Sequence, residues 1–395
     1  MKYKKKDHNA RDRLKYFYRV RPPVQLDVLK EVLGSDEKAE VDGYYFDTLS
    51  SSIVFFLYVI KKIRKTPKLK IGVQVYTCRS VLQAIVRTGN EALFHDINTD
   101  YFSSNPEAIQ FKELDVLILT HLFGIPNPYY ETIISHCRRN NVIVLEDLAM
   151  SRDIKVDGIP VGSMSDAQSY SFGFDKPVSC YKGGKLIINN EEIDIIARSD
   201  YESLPQETNN KSKKDLQRLY YYYNMTDPLI ADKKLQIYNL FEPFLFSNGS
   251  HHKIKFYTNR FNSKLKILLQ NYDTSPRKMG LSKILYLQKS NSRNLTYLED
   301  RDRIGREILR YLQNKYSDVR TPKLYDNCIT RLHRPPIITG KTTREKLLSN
   351  NIVQVGRYTW NYLLAKDTYS YPGAQYASHN MINIPNWTPE IIEYL

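Results

Sequence analysis

Short apolar runs alternate with amphipathic stretches along the first half of this chain. The runs are rich in β-branched residues and too short for buried helices, so they predict strands. The predicted strands are Ile71–Val75, Ala92–Asp96, Leu117–Thr120, Val142–Leu145 and Leu186–Ile188. An apolar stripe with the i, i+3, i+4, i+7 spacing of a helix runs from Ile53 to Ile60, and Ser80–Val86 is helical in pattern as well. This alternation predicts an α/β fold with a mainly parallel sheet and helices on both of its faces.

A carboxylate and a lysine stand where a sheet of this kind holds its ligands. The strand at Val142–Leu145 ends on Glu146 and Asp147, and Lys176 lies in the loop between the next two strand-like segments. Ligands of α/β proteins bind at the carboxyl ends of the strands. An acid and a lysine so placed suit pyridoxal phosphate (PLP), because the lysine can form a Schiff base and the acid can keep the pyridinium nitrogen protonated. Each residue also has a plainer interpretation, Asp147 as a helix cap and Lys176 as a solvated loop lysine.

An ordered series of short motifs surrounds these two residues. The series consists of Glu146-Asp147-Leu148-Ala149, Val161-Gly162 followed by Asp166, Ser171-Phe172 followed by Lys176, and Gly183-Gly184. In this order and at these spacings it resembles the DegT/DnrJ/StrS family of PLP-dependent sugar aminotransferases. The stretch His121–Gly124 resembles the family's His-Leu-Tyr-Gly. The resemblance covers residues 45–190 well and residues 275–395 loosely.

The resemblance implies a fold and a reaction. The fold is that of aspartate aminotransferase, PLP fold type I, with a large domain over residues 1–270 and a smaller C-terminal α/β domain over residues 271–395. Within the large domain, residues 199–270 form a basic, tyrosine-rich insertion. The reaction is transfer of an amino group from an amino acid, often glutamate, to a keto sugar on a nucleotide, as in surface polysaccharide or amino-sugar biosynthesis. Members of the family act as homodimers, because a second chain completes the site.

The resemblance also assigns roles to single residues. Lys176 and Asp147 are the catalytic pair, and Ser171 binds the phosphate of PLP. Ser51 and Ser52, at the start of the predicted helix, replace the family's phosphate-binding Gly-Thr pair, or else they form an ordinary N-cap.

Four further positions are expected near the cofactor or the substrate. Cys78 stands where the family stacks an aromatic ring on PLP, and Met150 stands where a glutamine contacts it. A thiol cannot stack in that way, and a thioether donates no hydrogen bond. His121 and Tyr76 are candidates for substrate contact, although a lone histidine is more often structural. The asparagine that reaches the phosphate across the family's dimer is absent before Arg277.

The amino-acid composition indicates a strongly basic protein. The chain has a net charge of +15 and a pI of about 9.3, so its surface attracts anions such as nucleotide sugars. The four cysteines have neither metal-ligand spacing nor the pattern of a disulfide framework. We expect a cytoplasmic protein, because this cysteine usage fits a reducing compartment and the basic N-terminus lacks the apolar segment of a signal peptide. The longest apolar run, Ile53–Ile60, is too short to span a bilayer.

Three other functions fit parts of the sequence. A PLP-dependent sugar dehydratase would share the fold, but such enzymes usually have histidine in place of Lys176. A relative without cofactor or activity is indicated by Cys78 and Met150. A nucleic-acid-binding or membrane-binding protein would depend on the basic segment 199–270 alone. We expect no nucleic acid partner, because the bulky apolar residues of that segment, such as Leu240 and Phe244, suit packing better than a solvated arm.

Overall fold

The computed structural model describes residues 23–37, 39–225, 275–350, 353, 364–365 and 369–395. Its strands are β1 (Tyr44–Phe46), β2 (Lys70–Gln74), β3 (Glu91–His95), β4 (Ile97–Asn98), β5 (Ser103–Ser104), β6 (Val116–Thr120), β7 (Ile143–Asp147), β8 (Lys155–Val156), β9 (Ile159–Pro160), β10 (Ala167–Ser171), β11 (Gly184–Ile188), β12 (Cys328–Ile329), β13 (Pro336–Ile338) and β14 (Met381–Asn383). Its α-helices are α1 (Leu26–Gly34), α2 (Leu49–Arg64), α3 (Arg79–Arg87), α4 (Tyr130–Arg139), α5 (Glu191–Glu202), α6 (Asn209–Met225), α7 (Leu281–Lys315), α8 (Lys341–Leu348) and α9 (Pro372–Asn380). Residues 226–270 of the predicted basic insertion lie outside the described residues, as do Leu240 and Phe244.

Seven strands form the central sheet, in the order β1-β11-β10-β7-β6-β2-β3. The strands from β10 to β3 pair in parallel, whereas β11 runs antiparallel to both β10 and β1. Because parallel strands run in one direction, β2, β6, β7 and β10 all end at the same edge, which we call the carboxyl edge of the sheet. The predicted α/β fold with a mainly parallel sheet is confirmed.

Helices cover both faces of the sheet, because the strands alternate their apolar side chains between the two. In β6, Val116 and Ile118 pack in the cluster that includes α2, α3 and α5. Leu117 and Leu119, from the same strand, pack in the cluster that includes α4. This two-sided burial explains why the strands appear in the sequence as unbroken apolar runs.

Helix α2 is anchored with its first turn against β11. The Thr48 hydroxyl caps the helix by accepting the Ser51 N–H at 3.1 Å. At Gly184 a Cβ atom would lie 2.7 Å from the Thr48 carbonyl oxygen, so glycine is needed for the two backbones to approach this closely. Gly184 in turn pairs with Ser171 at the end of β10. The second residue of the Gly-Gly motif therefore sets the start of α2 beside the carboxyl edge of the sheet.

Helix α7 spans 35 residues and connects two packing environments. Its first turns, with Ile284 and Leu287, pack in a cluster with α1 and α6. Its last turns, with Ile308 and Leu312, pack in a cluster with β13 and β14. The change of packing partner falls inside this helix. The division into domains 1–270 and 271–395 stays a prediction. None of the helices that the structure describes, α7 included, combines the length and apolarity needed to cross a bilayer.

A buried ion cluster fastens α6 to the start of α7. The Lys283 ammonium lies 2.6 Å from a Glu207 carboxylate oxygen and 3.3 Å from an Asp215 carboxylate oxygen. Burial opposes ionisation of Glu207, but the charge and hydrogen bond of Lys283 outweigh it and lower the pKa of that carboxyl. Burial likewise acts to lower the pKa of Lys283, but nearby Cys180, Glu207 and Asp215 outweigh it and the pKa is raised. The directions of both pKa shifts favour the ion pair of Lys283 and Glu207 at neutral pH.

Replacing Lys283 by methionine keeps the side-chain length and leaves two carboxylates buried without their counter-ion. We expect the free energy of unfolding, measured by urea denaturation, to fall by about 3–5 kcal/mol. The matched control is Lys289→Met, which removes a partly exposed lysine of the same helix that pairs with Glu31 and Glu37. That change should cost about 1 kcal/mol or less. Equal losses in the two variants would contradict a special role for the buried cluster.

The same cluster predicts the pH dependence of stability. The pKa of Glu207 is lowered in the folded protein, so its contribution is present above the unfolded pKa and is lost as the pH falls below about 4.3. The pKa of Lys283 is raised, so its contribution is present at neutral pH and is lost as the pH rises above about 10.4. Urea titrations across pH should show both losses in the wild-type protein. In Lys283→Met the alkaline loss should be absent, because methionine does not titrate, and the acid loss should shrink, because Glu207 has lost the partner that lowers its pKa. A wild-type stability that stays flat below pH 4.3 would argue against the assignment.

Candidate active site

Asp147 ends β7 at the carboxyl edge, and its carboxylate is 2% exposed. One oxygen accepts the Ala149 N–H at 3.0 Å, and the other lies 3.5 Å from the Thr120 hydroxyl. The next element after β7 is the strand β8. The carboxylate therefore closes a tight turn, and the alternative of a helix cap is wrong. Burial raises the pKa of Asp147, and the Ala149 N–H and the charge of Lys176 offset part of that rise.

Lys176 lies in the loop between β10 and β11, with its side chain 19% exposed and its ammonium 4.0 Å from an Asp175 carboxylate oxygen. Its positive charge acts on the buried carboxylate of Asp147. A register pair places Asp147 beside Ser169 on β10, two residues before that strand ends. The structure thus brings the predicted acid and the predicted lysine to the same part of the carboxyl edge.

The serines predicted to bind phosphate differ in their surroundings. Ser171, at the end of β10, is partly exposed, and its hydroxyl accepts the Gly173 N–H at 3.4 Å. Ser51 is buried and its hydroxyl donates to an Asp47 carboxylate oxygen at 2.6 Å. Ser52 is buried between the Leu49 carbonyl and the Ser169 hydroxyl, at 2.7 Å from each. These hydrogen bonds hold the side chains of Ser51 and Ser52 against the start of α2 and against β10. The two side chains therefore have a structural role.

Ser50 is a residue that the sequence interpretation missed. It lies in the first turn of α2, is partly exposed, and its hydroxyl forms no hydrogen bond with any described residue. Free backbone N–H groups and the helix dipole make such an N-terminus favourable for an anion.

His121 is structural. It is fully buried, and the Asn127 N–H donates to its Nδ1 at 3.1 Å. The ring proton is therefore assigned to Nε2, which donates to a Glu146 carboxylate oxygen at 3.1 Å. Both nitrogens are engaged inside the protein, so direct contact with substrate is excluded in this arrangement. The first acid of the Glu-Asp motif thus has a partner of its own, in the loop that directly follows the neighbouring strand β6.

Three other predicted positions lie around this centre. Tyr76 is 1% exposed and packs in the core between the carboxyl edge and the C-terminal elements, which corrects its assignment as a substrate contact. Met150 is buried in the same core. Cys78 is partly exposed at the start of α3, where its sulfur accepts the Ser80 hydroxyl at 3.0 Å. Contacts of Cys78 and Met150 with a cofactor stay predictions.

Two consecutive residues of the C-terminal half hold the loop of Lys176. The His333 Nε2–H donates to the Asp175 carbonyl oxygen at 2.8 Å, and the Arg334 guanidinium lies 3.5 Å from the Asp175 carboxylate. Burial, with the charges of Arg301 and Arg334, lowers the pKa of His333 well below its usual value, so the imidazole is neutral. Nothing in the local sequence near Lys176 indicates this contact.

Comparison with known proteins agrees with the geometry. The model of the DegT/DnrJ/EryC1/StrS aminotransferase family matches residues 66–236. A "Pleiotropic regulatory protein" of Geobacillus stearothermophilus is 30% identical over 120 residues, which are 30% of this chain and 32% of that protein. GDP-perosamine synthase of Escherichia coli O157:H7 is 24% identical over 152 residues, 38% of this chain and 42% of that protein. The chain therefore matches less than half the length of these curated relatives.

Solved structures share the fold over nearly the whole chain. The aminotransferase PseC of Helicobacter pylori superposes with a TM-score of 0.65 at 13% identity, covering 95% of this chain and 96% of PseC. The sugar aminotransferase CalS13 of Micromonospora echinospora gives 0.64 at 12% identity, covering 96% and 97%. GDP-4-keto-6-deoxy-D-mannose-3-dehydratase of E. coli gives 0.61 at 13% identity, covering 93% and 90%. The fold class predicted from the sequence is confirmed, and the segment that carries Asp147 and Lys176 lies within the part of the chain that matches the model of the DegT/DnrJ/EryC1/StrS aminotransferase family.

Proposed function

We propose that this protein is a PLP-dependent aminotransferase in which Lys176 binds the cofactor covalently and Asp147 pairs with its ring nitrogen. One observation carries the proposal: a buried carboxylate and an accessible lysine lie together at the carboxyl edge, with the lysine charge acting on the acid. This edge is where α/β folds bind their ligands. The match of residues 66–236 to the model of an aminotransferase family supports the same assignment.

The side chains present fit PLP. Asp147 is buried with one oxygen 3.5 Å from its nearest hydroxyl, Thr120, so it can accept the N–H of a protonated ring. Burial raises its pKa, so it gains from a cationic partner. The Lys176 ammonium has only a 4.0 Å ion pair to give up. Ser50, Ser171 and the start of α2 offer hydroxyl and N–H donors for a phosphate.

The chemistry then divides between cofactor and protein. PLP, when bound, supplies an electron sink for the carbanion formed at Cα of the amino-acid substrate. Once the amino donor has displaced it from the cofactor, the Lys176 amine would accept the proton from that Cα and deliver it to the cofactor carbon that carries the amino group. Asp147 would accept a hydrogen bond from the protonated ring nitrogen, and its burial would strengthen that interaction. The contact of His333 with Asp175 keeps the loop of Lys176 in place while the amine moves.

The proposed substrates are an amino-acid donor, glutamate in the first instance, and a keto sugar carried on a nucleotide. GDP-perosamine synthase and an enzyme described as an L-glutamine:3-amino-2,3-dideoxy-scyllo-inosose aminotransferase are among the similar proteins, at 24% and 28% identity. The net charge of +15 favours a phosphate-bearing substrate. We propose that the protein acts in the cytoplasm as a homodimer, in the biosynthesis of an amino sugar for a surface polysaccharide.

Lys176 should carry the cofactor. The purified protein with PLP should absorb visible light, and borohydride reduction followed by peptide mapping should place a pyridoxyl group on Lys176. The control is Lys182→Arg, which alters a lysine of the same loop and should leave the label in place. A label elsewhere with Lys176 unmodified would refute the assignment. A protein that shows no absorption with excess PLP would favour a relative that has lost the cofactor.

Asp147→Asn should lower the aminotransferase activity without lowering the stability of the fold. We expect aminotransfer to fall by about 100-fold or more, because a neutral amide does not hold the ring nitrogen protonated. Burial raises the pKa of Asp147, so this acid contributes less stability at neutral pH than at low pH, and Asn should leave the thermal midpoint at neutral pH equal or higher. Asp115→Asn is the control, since Asp115 accepts the Lys70 N–H at the opposite edge of the sheet. Normal turnover in a folded Asp147→Asn protein would favour a purely structural turn.

Ser50→Ala and Ser52→Ala should have opposite effects. Loss of the Ser50 hydroxyl should weaken PLP binding by about 10-fold, because a hydrogen bond to a charged phosphate is removed, and should leave stability unchanged. Loss of the buried Ser52 hydroxyl leaves Ser169 without a partner, so the free energy of unfolding should fall by about 1–3 kcal/mol. Fluorescence titration with PLP and urea denaturation measure the two effects. Weaker PLP binding in Ser52→Ala, together with lower stability in Ser50→Ala, would instead assign the phosphate contact to Ser52.

A further inference from the structure

The segment that carries His333, residues 331–335, lies between β12 and β13 and forms neither helix nor strand. One side of its backbone bonds to the turn after β6. The Arg331 N–H donates to the Gly124 carbonyl at 2.8 Å, and the His333 N–H donates to the Phe123 carbonyl at 2.9 Å. A Cβ atom at Gly124 would lie 1.7 Å from the Arg331 carbonyl oxygen, so glycine is needed for this approach. The segment is therefore docked on the carboxyl edge of the sheet.

Asn386 holds the other side of this segment. It is fully buried, and its amide nitrogen donates to the carbonyl oxygens of Leu332 and Arg301, each at 2.8 Å. Its amide oxygen accepts the Arg334 N–H at 3.1 Å and the Arg301 guanidinium at 3.2 Å. Both N–H groups and both lone pairs of the amide are thus used. The side chain bridges the backbone of residues 332 and 334, as a neighbouring strand would.

The backbone between these two bonds is bent in an unfavourable way. Arg334 has a φ angle of +57°, in the left-handed region that residues other than glycine rarely adopt. Such a conformation persists only where neighbouring contacts enforce it. Here the Arg334 N–H is held by Asn386, and its carbonyl accepts the Asn383 amide at 3.0 Å. Without Asn386 we expect Arg334 to relax toward negative φ, which would rotate the adjacent His333.

The His333 ring depends on this backbone for its direction. Its Nε2–H donates to the Asp175 carbonyl oxygen, whereas its Nδ1 is buried and has no hydrogen-bond partner among the described residues. With one ring nitrogen engaged in that part of the chain, the backbone must set where the ring points. Asp175 directly precedes Lys176, and its carboxylate lies 4.0 Å from the Lys176 ammonium. A change in the bend at Arg334 would therefore reach the lysine through one side chain.

We propose that Asn386 is a positioning residue for Lys176. Its amide enforces the bend at Arg334, the bend aims the His333 ring at the Asp175 carbonyl, and that bond holds the loop of Lys176. The hydrogen bonds of the Asn386 side chain all go to Arg301 and to residues 332 and 334, so it acts from outside the acid–lysine pair. The importance of this for the reaction rests on the proposed function, whereas the coupling between Asn386 and the loop does not.

The test is amide hydrogen exchange of the full-length protein without PLP, read by mass spectrometry. The loop of residues 172–180 has protected amides, because the Lys176 N–H donates to the Gly173 carbonyl and the Cys180 N–H to the Phe172 carbonyl, each at 3.1 Å. In Asn386→Leu this loop should exchange about 10-fold faster, since the loss of a buried hydrogen bond favours local opening. Faster exchange around residues 330–338 and 381–386 with an unchanged loop would show a purely structural role and overturn the proposal.

The matched control is Asn380→Leu. Asn380 in α9 also uses both ends of its amide, toward the Tyr376 carbonyl and the Arg344 guanidinium, but it does not bond to residues 332–334. Exchange in the loop of Lys176 should stay at the wild-type rate in this variant. Equal acceleration of the loop in Asn380→Leu and Asn386→Leu would contradict a specific role for Asn386.

Two further variants keep the result decisive. If Asn386→Leu does not fold, Asn386→Asp takes its place, because it keeps the shape of the side chain but loses the donors to Leu332 and Arg301. His333→Phe removes the ring N–H and should open the loop by itself. Adding Asn386→Asp to His333→Phe should then have little further effect, since both act on one path. Fully additive acceleration would show that Asn386 does not act through His333.

Kinetics of the protein loaded with PLP give a second, independent measurement. Asn386→Leu should lower kcat about 10-fold and leave KM for the amino donor within about twofold, because the amine that moves the proton is misplaced while the substrate contacts remain. A raised KM with normal kcat would contradict a positioning role. Faster loop exchange in a protein that never binds PLP would refute the aminotransferase proposal alone. A cofactor spectrum with unchanged loop exchange in folded Asn386→Leu would refute the positioning role alone.

Discussion

The parallel register of β6, β7 and β10 is the constraint on which the site depends. It sets Thr120 beside Asp147 and Asp147 beside Ser169, so that three strands deliver side chains to one edge. The buried bond between His121 and Glu146 joins the loop after β6 to β7 one residue from the acid. Because one residue of slip would turn every side chain to the opposite face, this register also selects which acid of the pair points to the site.

Sequence reasoning succeeded where the information is local. The two-sided burial of the strands made them visible as apolar runs, and the acid and the lysine each follow a strand within a recognisable motif. The Gly-Gly motif could be located in the same way, although only the structure shows that Gly184 is needed for the close approach of α2. The start of α2 was predicted to within one turn. The prediction named Ser51 and Ser52 as phosphate contacts and did not name Ser50, which lies one or two residues earlier.

What sequence reasoning missed depends on contacts between distant parts of the chain. The partners of His121 and the neighbours of Arg152 come from other strands and from α7, and no spacing in the sequence encodes them. The buried cation Lys283 is matched by two acids from an earlier part of the chain. The half-exposed Arg152 packs instead against the rings of Tyr170 and Phe172.

The contact between His333 and Asp175 joins residues 158 positions apart in the chain. During synthesis the chain leaves the ribosome from its N-terminal end. The sheet, Asp147 and Lys176 therefore all emerge well before His333 does. The nascent chain can pair its strands early, yet the loop that carries the lysine is held only after α7 and the segment leading to β13 have docked. Maturation of the site is thereby coupled to synthesis of the segment around His333, and products truncated before that residue would carry the motif without this contact.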